Sequence, residues 1–141
     1  MSQNLKLHYD ISGDDFSLAG QASSNIKKVL KQLGVSPEVI RKTAISMYEG
    51  EINTVIHGKG GTADVEITED RLTIVFTDHG PGIKDIKQAM QEGFSTATNE
   101  ARELGFGAGM GLPNMKKYSD ELTITSDPGV KTTVEIVIKI S

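Results

Sequence analysis

The sequence has no cysteine and no tryptophan. The missing cysteine removes disulfide staples, thiolate metal sites and thiol catalysis together, and it suits a reducing compartment without demanding one. No apolar run approaches the roughly 20 residues that span a bilayer. The opening MSQNLKLHYD has none of the features of a secretory signal. A soluble, cytoplasmic protein with no membrane association is the expectation. An excess of positive charge is also missing: 15 Lys and Arg stand against 19 Asp and Glu, a net charge of -4. Both signs are mixed through both halves, so neither a basic face nor a basic tail is on offer to nucleic acid. What is over-supplied is glycine, 15 of 141 residues, against an average of about 7%. Seven of these fall between Gly80 and Gly111 and three more between Gly58 and Gly61. Such clusters need a local reason.

The length fits one domain, 1–141. LKLHYDI alternates at period two and predicts a strand. Leu18, Ala22, Ile26, Val29, Leu30 and Leu33 recur at helical spacing, with Gly34 as the stop. Ser36-Pro37 opens a second helix that runs to about His57, with a cap residue followed by proline in the first turn. From Ala63 to Asp78 the pattern is a hairpin turning at Glu69-Asp70-Arg71. Leu112, Met115 and Tyr118 mark a third helix, and ELTITS, DPG and VKTTVEIVIKI a closing hairpin. Apart from one helical turn at Ile86, Ala89 and Met90, the segment at about 84–110 has no period, and so long a stretch in a small domain reads as a functional lid. The order predicts an α+β fold, a two-layer α/β sandwich with helices on one face of a mainly antiparallel, mixed sheet.

Three segments carry chemistry. On the second helix, Ile40, Ala44, Ile45, Tyr48, Ile52, Val55 and Ile56 form the apolar arc at about 100° per residue. Ser46, Glu49, Gly50, Asn53 and His57 lie outside it. Glu49, Asn53 and His57 follow at i, i+4, i+8. A solvated face explains the stripe by itself. Gly50, a poor helix former by about 1 kcal/mol relative to alanine, suggests instead that something approaches closely there. On the functional account Asn53 offers a neutral oxygen to Mg²⁺, shared with substrate phosphates, and Glu49 takes a proton from a nucleophile. Glu51 is turned by about 200° from Glu49, toward the apolar arc or its edge.

The second segment is Asp78-His79-Gly80-Pro81-Gly82, directly after a strand. A structural turn accounts for Gly-Pro-Gly. The functional account makes Asp78 the acceptor for the exocyclic amine of adenine, with Gly80 and Gly82 keeping the base slot clear. The third is the ladder Gly105, Gly107, Gly109, Gly111 running into the third helix. Backbone N–H groups aimed along a helix N-terminus make a phosphate site. The ladder is neither a Walker A loop nor a dinucleotide fingerprint, and a flexible linker, the plainer account, would not run into an amphipathic helix.

Together these boxes resemble the GHKL, or Bergerat-fold, ATPases: Glu49-x-x-x-Asn53-x-x-x-His57-Gly58, Asp78-x-Gly80-x-Gly82, Gly107-x-Gly109-x-Gly111-Leu112 and VKTTV, in the family's order across nearly the whole chain. Within the family the chain is most similar to the small bacterial serine kinases and anti-sigma factors of partner-switching systems. The resemblance implies that ATP-Mg²⁺ lies between helices and lid, with Asn53 on the metal, Asp78 on adenine and Glu49 as the base that activates a serine hydroxyl. It places His57, Gly80, Gly82, Ile83, Gly105, Gly107, Gly109, Gly111, Leu112, Thr132 and Thr133 at the nucleotide, Thr133 on the adenine side. One departure is Lys131, where many members have the second glycine of GxGTT.

The resemblance implies a protein serine kinase acting on a regulatory partner, a small STAS-type antagonist or a related protein. Its alternative is a nucleotide-dependent module that captures a partner such as a sigma factor with little transfer. A sensor-kinase catalytic half, for which no acceptor-histidine helix pair precedes the domain, and a scaffold with relic boxes rank lower. Homodimers are common among such proteins.

Overall fold

Strand β1 (Leu5–Ser12) leads to helices α1 (Gln21–Gln32) and α2 (Pro37–Ile56), the hairpin β2 (Gly60–Ile67) and β3 (Arg71–Asp78), helix α3 (Gly111–Tyr118) and the hairpin β4 (Glu121–Asp127) and β5 (Lys131–Lys139). This is a computed structural model that describes residues 4–13, 20–56, 60–78, 111–127 and 131–140, with the backbone alone at 56, 111–113 and 127. The lid at about 84–110, the helical turn at Ile86 and the glycine boxes before Gly111 lie outside the described residues.

The sheet order is β1-β2-β3-β5-β4, and every neighbouring pair is antiparallel. Because β5 enters between β3 and β4, these two strands run the same way without touching. Among the described residues no neighbouring pair is parallel, so the sheet is wholly antiparallel and the expected mixed character is corrected.

Period-two alternation builds the inner face. Ala63, Val65 and Ile67, Leu72, Ile74 and Phe76, and Val134, Ile136 and Ile138 are buried against Ile26, Leu30, Met47 and Met115 of the helices. Each such aliphatic or aromatic side chain contributes roughly 1.5–3 kcal/mol when fully buried. The β2–β3 turn is held by Thr68, whose N–H donates to the Arg71 carbonyl at 2.9 Å and whose hydroxyl donates to Asp70 at 2.7 Å. Helix α1 stops as its sequence predicts. Gly34 has φ +74°, and the N–H groups of Gly34 and Val35 donate to the carbonyls of Lys31 and Leu30, which is the glycine-terminated Schellman arrangement. At the start of α2, the Val39 N–H donates to Ser36 Oγ at 3.4 Å, so the predicted cap is in place, and the helix is described as far as Ile56.

Helix α2 departs from its predicted apolar arc. Ile40, Ile52 and Val55 are buried, but Tyr48 is 39% exposed and Ala44 and Ile45 are only half-buried. The sheet instead meets a line the arc omitted, Thr43, Met47, Gly50 and Thr54, all buried. The two threonines are tolerated there because their hydroxyls donate back to the carbonyls of Val39 and Gly50 at 2.8 and 2.9 Å. With the sheet below and α1 and α3 packed beside it, α2 has no single wet side, so its pattern is not that of a simple amphipathic helix.

Candidate active site

At one end of the sheet a polar row crosses the inner face. Asp78 of β3 pairs with Gly61 of β2 on one side and with Thr132 of β5 on the other, and Thr132 pairs with Ser126 of β4. Asp78 and Thr132 are both buried, and the hydroxyls of Ser126 and Thr132 lie 3.3 Å apart. Thr133 does not join them. Strand alternation turns its side chain to the opposite face of the sheet, where it stands in a row with Thr62, Thr77 and Thr125. Thr132 is therefore the threonine beside Asp78 on the inner face. Lys131 is the exposed first residue of β5, opposite Asp127; the turn before it, 128–130, lies outside the described residues.

Helix α2 reaches this end of the sheet. A Cβ built on Gly61 would lie 3.1 Å from both the Asp78 Cα and the Thr54 Cγ2, and 2.1 Å from the Thr77 carbonyl. Only glycine fits where β2, β3 and α2 press together. Asn53, the neighbour of Thr54, and Glu49 one turn earlier are half-buried on α2, so helix and strand carry their candidate residues to one region. Two other members of the stripe are not on a wet face. Ser46 is fully buried, with a hydroxyl that has no hydrogen-bond partner among the described residues. Gly50 is closed off by the Phe76 ring, since a Cβ there would meet Phe76 Cε2 at 2.4 Å. The close approach inferred at Gly50 is therefore made by the core, not by a ligand.

Burial pushes the Glu49 carboxyl above its ordinary value, and a hydrogen bond from the Asn114 side chain on α3 acts in the opposite direction. A carboxylate with a raised value is suited to hold a proton taken from another group. Glu49 also lines an open groove of about 390 Å³ between α1 and α2, with Lys27 and Tyr48 beside it. Burial first, then the charges of Glu49 and Glu51, raise the Tyr48 phenol, which stays neutral at physiological pH.

Glu51 has a role that spacing alone did not supply. It is 2% exposed and accepts the N–H groups of Ala22 and Ser23 at 3.1 and 3.0 Å. These are orphan donors of the first turn of α1, whose own cap position, Gly20 at φ +97°, has no side chain to offer. A lone acid near an apolar arc, together with a helix whose N-terminus lacks a capping residue, was the available signal. Asn114, in the first turn of α3, was also missed; its polar side chain just past the glycine ladder was the clue. Of the predicted site residues, His57, Gly80, Gly82, Ile83, Gly105, Gly107 and Gly109 lie outside the described residues. Gly111 and Leu112 are described as backbone at the start of α3.

A helical layer over an antiparallel sheet, with an acid and an amide one turn apart above a strand that ends in a buried aspartate, defines a two-layer α+β domain with one polar end. The chain belongs to the histidine kinase-, DNA gyrase B- and HSP90-like ATPase family, whose model matches residues 47–141. It is 40% identical over 100 residues to the anti-sigma F factor of Thermoanaerobacter sp. (strain X514), covering 67% of this chain and 65% of that protein. The chain thus spans less than two thirds of that relative's length. It is 33% identical over 115 residues to the serine/threonine-protein kinase RsbT of Bacillus subtilis (strain 168), covering 79% of this chain and 80% of the relative. The crystal structure of the SiaB-SiaC complex from Pseudomonas aeruginosa contains a chain of the same fold, with a TM-score of 0.64 at 16% identity over 94% of this chain and 88% of that one. Among the described residues no helix is long and apolar enough to cross a membrane.

Proposed function

We propose that the protein is an ATP- and Mg²⁺-dependent serine kinase that phosphorylates a small regulatory protein, a STAS-type antagonist or a related partner. The observation that carries the proposal is Glu49, a half-buried carboxylate with a raised proton affinity, one helical turn from Asn53 and open to a groove through which a hydroxyl can reach it. Bound ATP with its Mg²⁺ would supply the transferable phosphoryl group and the charge neutralisation that such transfer chiefly needs.

The donor set fits that pair. Among the described residues no cluster of three or more His, Asp or Glu side chains could hold a metal unaided. A hard cation carried mainly by phosphates and water asks the protein for little more than the carboxamide oxygen of Asn53. Asp78 and Thr132, an acceptor beside a hydroxyl in a buried row, match the polar edge of adenine; a carboxylate there would face a carbonyl oxygen on guanine. Glu49 would take the serine proton, and the backbone of the ladder leading into α3 would receive the phosphates. His57, Gly80, Gly82, Ile83 and Leu112 complete the proposed nucleotide contacts.

The anti-sigma names among the relatives favour a second reading, in which ATP gates capture of a sigma factor or another regulatory protein with little transfer. The two separate at Glu49. Partners captured from the source cell in the presence of ATP are incubated with radiolabelled ATP and either wild type or Glu49→Gln, while calorimetry follows nucleotide binding. Loss of transfer by about 10²-fold or more with ATP binding retained supports the kinase. Transfer that is unchanged, or absent from the wild type, leaves the binding module.

A further inference from the structure

Strand β1 is an edge strand, flanked in the sheet order by β2 alone. Alternation turns Lys6, His8 and Asp10 to the face of the sheet away from the helices, and the register sets Glu66, Asp64 and Thr62 of β2 beside them. In the middle of this ladder His8 stands opposite Asp64. Its Nδ1 lies 2.5 Å from Asp64 Oδ1, and its Nε2 lies 3.2 Å from Asp10 Oδ1. A neutral imidazole has one N–H and can donate to only one of two carboxylates, whereas the imidazolium donates to both. An acceptor at each ring nitrogen therefore selects the protonated ring. Hydrogen bonds to Asp64 first and Asp10 second hold the imidazole above its ordinary value.

We propose that His8, Asp10 and Asp64 form a pH-sensitive clasp that holds the edge strand β1 to β2 while the ring carries both protons and slackens when it loses one. The charge balance of the patch supplies the force. With His8 protonated, it and Lys6 stand against Asp10, Asp64 and Glu66, which are the other charged side chains of β1 and β2 on this face. Once His8 is neutral, three carboxylates share the patch with Lys6 alone, which lies 4.0 Å from Glu66. Like charges on neighbouring strands destabilise their pairing. The remaining side-chain ties of β1 do not titrate near neutrality. Asn4 donates to Glu66 at 3.2 Å, and on the inner face the Tyr9 hydroxyl donates to Asn25 of α1 at 2.5 Å, its phenol raised by burial and then by the charge of Glu51. Because the folded value of His8 is raised, the contribution of the clasp is complete below about pH 6.5, the ordinary histidine value, as long as the carboxylates stay ionised. It is lost as pH rises through the folded value. The clasped strand also borders the candidate site: Ile11 pairs with Gly61, whose other partner is Asp78.

The test uses the whole protein without nucleotide or partner, from about pH 5 to about pH 9, where the carboxylates stay ionised, so its outcome does not depend on whether the protein is a kinase. First, the carbon-bound ring protons of His8, assigned by their loss in His8→Gln, are titrated by NMR in wild type, Asp64→Asn and Asp10→Asn. The midpoint should fall in both variants, and further in Asp64→Asn, which alters the shorter contact. Second, amide exchange is followed across residues 7–11, with the intrinsic pH dependence of exchange divided out. In the wild type, protection should drop by about two- to fivefold as pH rises through the His8 midpoint, the scale of one or two exposed ion pairs. In His8→Gln it should stay level over the same range. All three substituted side chains are more than half exposed, so the variants keep the fold, and the wild-type exchange profile needs no variant. A His8 midpoint shared by wild type and both Asn variants, a wild-type β1 with no step in protection at that midpoint, or a step that persists in His8→Gln would each overturn the clasp.

Discussion

Gly50→Ala adds one carbon where α2 meets the sheet. That carbon would lie 2.4 Å from Phe76 Cε2 and 2.8 Å from Cδ2 and Cζ. Ordinary carbon contacts are about 3.5–4.0 Å, so the ring must retreat by about 1 Å. Phe76 is 2% exposed, on a strand flanked by β2 and β5. Two effects compete. Alanine favours the helix by about 1 kcal/mol over glycine, whereas overpacking a core costs about 1–3 kcal/mol and occasionally more. With both backbones held, the upper part of that range applies, and the net loss is about 1–2 kcal/mol. For a chain of this size that lowers Tm by about 3–10 °C. Urea and thermal unfolding followed by circular dichroism measure it. In a Phe76→Leu background the same alanine should cost less, with a coupling of about 1 kcal/mol. A Gly50→Ala protein as stable as wild type, or strict additivity with Phe76→Leu, would refute the packing account and restore a ligand as the reason for glycine.

Glu51→Ala strands two buried N–H groups at the start of α1 and should cost about 2–3 kcal/mol, with faster amide exchange at Ala22 and Ser23. Glu51→Gln, which keeps one carbonyl acceptor, should cost less, and a loss below about 0.5 kcal/mol for the alanine would mean that water replaces the carboxylate. Glu49 makes stability depend on pH. Its folded value is raised, so above about pH 4.3, the ordinary glutamate value, the fold holds more proton than the unfolded chain. This group's contribution therefore makes stability fall as pH rises through the window up to the folded value, and stay reduced beyond it. Denaturation series from acid to neutral pH should show a shallower decline for Glu49→Gln, with the gap between the two proteins levelling off once Glu49 is ionised; parallel curves would contradict the sign.

The sheet was legible because period-two alternation survives wherever one face is buried, and β2, β3 and β5 keep it without a break. The order of the boxes on the chain was legible too. Asp78 does end an inner strand, and Glu49 and Asn53 do ride together on α2. Three things were hidden, each for a tertiary reason. The sheet-facing line of α2 is Thr43, Met47, Gly50 and Thr54, and a pattern search for apolar side chains passes over threonines that satisfy themselves and a glycine that yields to a ring. Glu51 caps a helix 28 residues away in sequence at Ser23, a pairing no local window contains. Thr132 and Thr133 look equivalent as letters, and the register of β5 alone decides which one meets Asp78.

The strand order has a consequence in time. β5 follows β4 in sequence, yet it lies between β3 and β4. A nascent chain that ends before Lys131 can form the β1, β2, β3 portion but must leave the inner edge of β3 bare and β4 with nothing to pair to. Asp78, Thr132 and Ser126 come from three strands that become neighbours only when β5 slides in. The polar row is thus complete only once β5 has been synthesised, and a chain that ends before Lys131 exposes a sheet edge before it possesses a site.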